Sequence, residues 1–148
     1  MQRLQTFIGL CLLEAKEAYH KGEVPVGCVV VKEDELLARA HNRVQELKDP
    51  TAHAELLALS YARERLGSKY LQGCEVYVSL EPCPMCAYAM VLHRVKRVIF
   101  FALDEKGGAV MSRFNLFEDP AFNHRVSWEY LPIEEASQLL RGFFRSLR

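Results

Sequence analysis

The chain has 148 residues, half of them hydrophobic, with 19 Lys plus Arg against 19 Asp plus Glu. That length and apolar content suit one domain over residues 1–148 with a sizeable core. A formal net charge of zero, balanced in both halves, excludes a general electrostatic pull on nucleic acid, so an RNA or DNA partner has to be met by a local patch. The five cysteines include one close pair, Cys83 and Cys86, which is not the pattern of a secreted disulfide framework. The apolar run from Phe7 to Leu13 is too short for a membrane span, and Glu14, Lys16 and Glu17 follow it at once without a signal-cleavage site. A cytoplasmic protein is the expectation.

Leu4, Phe7, Ile8, Cys11, Leu12, Ala15 and Tyr19 recur at helical spacing, and Gly22 punctuates the end of that helix. The Val-rich run 24–31 predicts a buried strand, with Gly27 marking a close backbone approach or a bulge. A polar turn at 32–35 leads to a returning strand from Leu36 to Ala40, then a loop from Asn42 to Pro50. Thr51 is placed to cap a helix over 52–65 that Gly67 ends. Val76, Val78 and Leu80 alternate with polar neighbours and predict a strand ending at Glu81-Pro82. Pro84 suits a first helical turn, and that helix is expected to reach about His93. A strand over 98–101, an irregular segment over 103–123, a fifth strand over 126–130 and a C-terminal helix opened by Pro132 complete the chain. This alternation predicts an α/β sandwich around a mixed sheet.

Two stretches carry chemistry: His53-Ala54-Glu55 and Pro82-Cys83-Pro84-Met85-Cys86. Cys83 and Cys86 stand at i and i+3 at a strand-to-helix junction, so their thiols can converge on one ion. A helix N-terminus favours thiolate. With His53 at another helix start, the set offers three borderline or soft ligands that suit Zn²⁺ and leave a fourth position for water. Such a water has a pKa of roughly 7. Glu55, two residues from His53, is not spaced to join the ligands but can reach that water and move its proton. Alone, a Cys-x-x-Cys is as often a redox pair or part of a structural zinc site. Redox chemistry has no need of His53 or Glu55, and a structural site needs a fourth ligand, for which Cys74 is the best spare.

At these residues the sequence resembles the cytidine deaminase superfamily, whose signature is His-x-Glu with Pro-Cys-x-x-Cys. Glu23-Val24-Pro25-Val26-Gly27, Asn42-Arg43, Asp49-Pro50-Thr51-Ala52, Leu80-Glu81 and Asn123-His124-Arg125-Val126 are similar to its tRNA-specific adenosine deaminase branch, as is the Phe143-Phe144-Arg145 ending. The resemblance implies a cytidine-deaminase-like three-layer α/β/α sandwich with a five-stranded mixed sheet. It implies one zinc per chain on His53, Cys83 and Cys86, with Glu55 as proton shuttle. It also implies that Asn42, Val26 and the Ala54 N–H meet the reacting base, and that Asp104 and the loop after it meet flanking nucleotides. The implied activity is hydrolytic conversion of adenosine to inosine at the wobble position of a tRNA anticodon loop, using a zinc-activated hydroxide. The implied partners are that tRNA stem-loop and a second copy of the chain, in a homodimer.

The sequence departs from the branch in the 101–108 segment. Phe101 and Leu103 stand there in place of a small and a basic residue, and Glu105 adds an acid; His41 before Asn42 is also atypical. Two other functions stay open at this point. One is a deaminase of a free base or nucleotide such as guanine, cytosine or deoxycytidylate; the other is a non-catalytic zinc-stabilised RNA-binding or scaffold subunit. Away from the motifs the bland readings hold: Phe143 and Phe144 as core or dimer contacts, Arg141, Arg145 and Arg148 as a solvated face, Cys11 and Cys28 as small buried residues.

Overall fold

The computed structural model describes residues 2–148. The elements in chain order are α1 (Gln2–His20), β1 (Gly27–Lys32), β2 (Glu35–His41), α2 (Val44–Leu47), α3 (Ala54–Leu66), β3 (Cys74–Val78), α4 (Pro84–Leu92), β4 (Arg97–Phe100), β5 (Ser127–Tyr130) and α5 (Glu134–Ser146). The strands form one sheet in the order β2-β1-β3-β4-β5. β1 pairs antiparallel with β2 and β3, while β3–β4 and β4–β5 are parallel, so the sheet is mixed as expected.

Strand alternation divides the core into two layers. Cys28, Val30, Val76, Val78, Val98 and Phe100 face α3 and α4, where Ala58, Leu59, Ala87 and Met90 cover them. Val29, Val31, Tyr77 and Ile99 face the other way, against Phe7, Cys11 and Leu12 of α1 and Ala136 and Leu140 of α5. β1 is central and covered on both faces, which is why its sequence is a continuous apolar run rather than an alternating one.

Several boundaries differ from the sequence reading for identifiable reasons. Thr51 does not cap α3, because its N–H and its hydroxyl both donate to Asp49 Oδ1, at 2.9 and 2.7 Å. The helix starts three residues later, with His53 in the cap position at φ −76 and ψ 150. The expected loop after Asn42 contains the short α2, and the expected irregular segment contains a 3₁₀ turn at Leu116–Glu118. β1 starts at Gly27 rather than Val24, and β3 ends at Val78, leaving a bend at Ser79 and Leu80 and an irregular stretch from Glu81 to Cys83 before α4. α5 starts at Glu134, two residues beyond Pro132.

His41 pins the end of β2 to α1. Its Nδ1–H donates to Glu14 Oε1 at 2.7 Å, and its Nε2 accepts from Lys21 Nζ at 3.3 Å. Arg39 Nε donates to the other Glu14 oxygen at 2.6 Å. Burial pushes the Glu14 carboxyl up, but the bonds from His41 and Arg39 outweigh it and hold the group below its ordinary 4.5. A carboxyl depressed in the folded state contributes stability that is present above its unfolded pKa and lost as pH falls through the folded value. The melting temperature of the parent is therefore expected to fall more steeply than that of Glu14→Gln between about pH 5 and pH 3. Equal slopes in paired thermal melts would contradict this role.

Candidate active site

Two helix starts meet at the site. His53 stands at the cap of α3 and Cys83 at the cap of α4, with Pro84 in the first turn and Cys86 two residues later. Neither cap residue spends its side chain on the helix N–H groups, so both point elsewhere. His53 Nδ1 lies 3.6 Å from Cys83 Sγ and 3.5 Å from Cys86 Sγ. All three ligand atoms lie within 4.8 Å of one another. Zn–S near 2.3 Å and Zn–N near 2.1 Å at a tetrahedral angle require N-to-S separations of about 3.6 Å. The donor set thus fits zinc in chemistry and in spacing. Among the described residues it is the only such group of three or more, and Cys74 lies at the far end of β3, outside it.

The three side chains are linked electrostatically through Cys83, which accepts from both Cys86 and His53. Cys83 is pulled down to about 4, first by the hydrogen bond from the Cys86 thiol and then, against its own burial, by His53. Cys86 is pushed up by donating to Cys83 and by burial. His53 is raised by its bond to Cys83. A divalent cation held by these residues would displace their protons and leave both sulfurs as thiolates.

Glu55 lies in the first turn of α3 and is buried, 4 % exposed. Burial raises its carboxyl to about 7, a value suited to taking up and releasing a proton at neutral pH.

His53, Glu55 and Cys83 open into a pocket of about 1150 Å³. Val26, Asn42 and Asp104 line the same pocket, so six of the eight residues singled out from the sequence share one wall system. The other two, Ala54 and Cys86, are fully buried behind it. The Ala54 N–H donates to Asn42 Oδ1 at 2.7 Å. A substrate group therefore reaches that N–H only by displacing Asn42, whose amide NH₂ is the end left for the pocket. Asn42 is held in turn by its own N–H to Val26 O at 3.2 Å. Asp104 Oδ1 accepts from the N–H groups of Lys106 and Gly107, at 3.2 and 3.1 Å, which curls the loop back on itself.

The structure adds residues whose roles the sequence did not indicate. Glu23 is 1 % exposed, and its carboxylate accepts from Gln45 N and Glu46 N at 3.0 and 2.8 Å, holding α2 against the pocket. Phe144 and Arg148 of the C-terminal segment reach the pocket mouth, along with Arg141, which pairs with Glu134 at 2.6 Å. Phe143 is buried against Tyr19. Only the recurrence of aromatic and basic residues near the C-terminus hinted at this wall.

The family described as the cytidine and deoxycytidylate deaminase zinc-binding region matches residues 1–102. A tRNA-specific adenosine deaminase of Aquifex aeolicus (strain VF5) is 61% identical over 142 residues, covering 96% of this chain and 94% of the relative. One from Bacillus subtilis (strain 168) is 43% identical over 149 residues, covering 100% of this chain and 92% of the relative. Among solved structures, one from work on A-to-I editing by tRNA:A34 deaminases at the wobble position superposes with a TM-score of 0.89 at 40% identity, covering 92% of this chain and 99% of that one. The guanine deaminase of Nitrosomonas europaea superposes with a TM-score of 0.76 at 26% identity, covering 93% and 82%. With its zinc-spaced His53, Cys83 and Cys86 and these relatives across nearly its whole length, the chain belongs to the tRNA-specific adenosine deaminase branch of the cytidine and deoxycytidylate deaminase family.

Proposed function

We propose that the protein hydrolyses adenosine to inosine at the wobble position of a tRNA anticodon loop. The observation that carries this reading is the convergence of His53, Cys83 and Cys86 at tetrahedral spacing beside a buried Glu55 in an open pocket. The choice of base and of RNA is supported by the tRNA-specific relatives at 61% and 43% identity. His53, Cys83 and Cys86 hold one zinc, which when bound supplies the acidity that makes hydroxide available near neutral pH. Glu55 takes up the first proton from water and delivers it to N1 of the adenine, then takes the second from the hydroxyl added at C6 and delivers it to the departing amino group. Water is consumed and ammonia leaves. Asn42 orients the base with its amide NH₂, and Val26 packs on the base face. Anticodon loops already present splayed bases, so little unstacking energy is required.

A second copy of the chain is part of this reading. It is supported by large apolar side chains left exposed on α4, Tyr88 and Leu92, and on the segment after β4, Met111 and Phe114. A cytoplasmic location fits a tRNA substrate, and no described helix is long and apolar enough to cross a membrane.

The test is ammonia release from an anticodon stem-loop bearing a wobble adenosine, with free guanine, adenosine and deoxycytidylate in parallel. The guanine arm has a specific motive in the guanine deaminase superposition. Release from the stem-loop alone is expected; release from guanine alone would replace the substrate. The metal is tested separately. Cys83→Ala leaves two ligands, and bound zinc is expected to fall from about one per chain to a small fraction. Full zinc occupancy in that variant would remove Cys83 from the ligand set.

A further inference from the structure

Glu81 is 2 % exposed and stands two residues before Cys83. Its hydrogen-bond partners are four backbone N–H groups and one hydroxyl, all from a segment more than twenty residues away. Oε1 accepts from Asp104 N at 3.1 Å and from the Ser112 hydroxyl. Oε2 accepts from Val110, Met111 and Ser112 N at 3.1, 2.8 and 2.9 Å. Two backbone bonds run alongside: Glu81 N to Ala102 O at 2.9 Å and Ala109 N to Pro82 O at 2.8 Å. Gly108 passes so close that a Cβ there would stand 2.5 Å from Glu81 Oε2. An anionic side chain that gathers successive N–H groups in this way fixes a loop that has no regular structure of its own.

The loop so fixed carries Leu103, Asp104 and Lys106, which line the same pocket as Glu55 and Cys83. We propose that Glu81 is a positioning residue for substrate selection: its carboxylate fastens the 103–112 segment to the stretch that leads from β3 to Cys83 at the start of α4, and so sets where Leu103, Asp104 and Lys106 meet the nucleotides flanking the reacting adenosine. This rests on the RNA reading above. Glu81 borders the same pocket, but it is 2 % exposed and its carboxylate oxygens are taken up by the loop, so it acts through the loop.

The experiment uses zinc-loaded parent, Glu81→Gln and Ser112→Ala. Gln replaces one acceptor oxygen with an NH₂ that faces donors, so Glu81→Gln is expected to release the segment while the core stays folded. Amide exchange at Asp104, Val110, Met111 and Ser112 is expected to accelerate about tenfold or more, with exchange in α3 and zinc content unchanged. On anticodon stem-loops, KM is expected to rise about tenfold while kcat changes by less than about threefold. Discrimination against stem-loops with substituted flanking nucleotides is expected to shrink by a similar factor. Ser112→Ala removes one bond and is expected to show the same pattern at about threefold, which keeps the test valid should Glu81→Gln not fold.

Unchanged exchange in the segment overturns the fastening. Faster exchange with parental KM and parental discrimination leaves Glu81 a purely structural residue and overturns the selection role. A parent that makes no inosine in any stem-loop overturns the RNA reading, and the selection role with it, while the exchange data still report on the fastening.

Discussion

Glu55→Gln is expected to retain about one zinc per chain and to lose about 10²–10⁴-fold in turnover. The two effects separate because His53, Cys83 and Cys86 make up the group that could hold a metal ion, and Glu55 is not part of it. Gln keeps the shape of Glu but cannot take up a proton, so only the transfers to N1 and to the leaving amine are removed. The fold should not suffer. Glu55 is 4 % exposed, and burial raises its carboxyl to about 7, so the native site holds an acid that its surroundings disfavour in the charged form. The melting temperature of the variant is expected to equal or exceed that of the parent, as when a strained functional group is neutralised. Retained turnover in an inosine assay would remove Glu55 from the chemistry, and loss of zinc by elemental analysis would make it a ligand.

Gly27→Ala is expected to be among the most destabilising single substitutions in the protein. Gly27 opens β1 beneath α1, and a Cβ there would stand 2.6 Å from Ala15 N and 2.9 Å from Glu14 Cβ, and closer still to Cys11 O. Two of those atoms are helix backbone, which cannot move aside as a side chain tip can. The strand cannot retreat either. Gly27 N donates to Ser79 Oγ at 3.0 Å, Ser79 N returns a bond to Gly27 O at 3.0 Å, and the Cys11 thiol donates to that same oxygen at 3.1 Å. Relief requires α1 to lift from the sheet, which exposes the layer around Phe7, Tyr77 and Ile99. A loss of about 3 kcal/mol or more is expected, or about 10 °C in melting temperature. Gly9→Ala on the same helix is the control. Nothing lies within 4 Å of a Cβ there, and the change is expected to stabilise by about 0.5–1 kcal/mol. A Gly27→Ala variant that melts with the parent would contradict the close helix–strand approach.

The sequence reading recovered what local patterns encode. Apolar periodicity, continuous apolar runs and helix-end residues located the five described strands and the four long helices, because each element buries apolar side chains in the core. The glycine in the Val-rich run was flagged as a close approach or a bulge; the approach is to α1, and the bulge lies further along the strand at Val30/Val31. Thr51 was misread because Asp49, two residues earlier, competes for its hydroxyl and wins. That His53, Cys83 and Cys86 would come together was legible because their residue types and spacings leave few other chemistries. The contacts that shape the pocket were not. The Asn42–Ala54 bond, the Glu23 cap on α2 and the Glu81 hub all join side chains to backbone N–H groups distant in sequence, and no periodicity records them. His41, which the sequence reading marked as a departure, bonds to Glu14 and Lys21.

The most direct test of the account is site-mapped inosine in RNA. An anticodon stem-loop with adenosine at the wobble position and a second adenosine elsewhere in the loop is incubated with zinc-loaded protein, then digested and read by mass spectrometry. The account predicts inosine at the wobble position, none at the other adenosine, and no product after chelation until zinc is restored. Unmodified RNA from a zinc-replete protein that deaminates free guanine would contradict it.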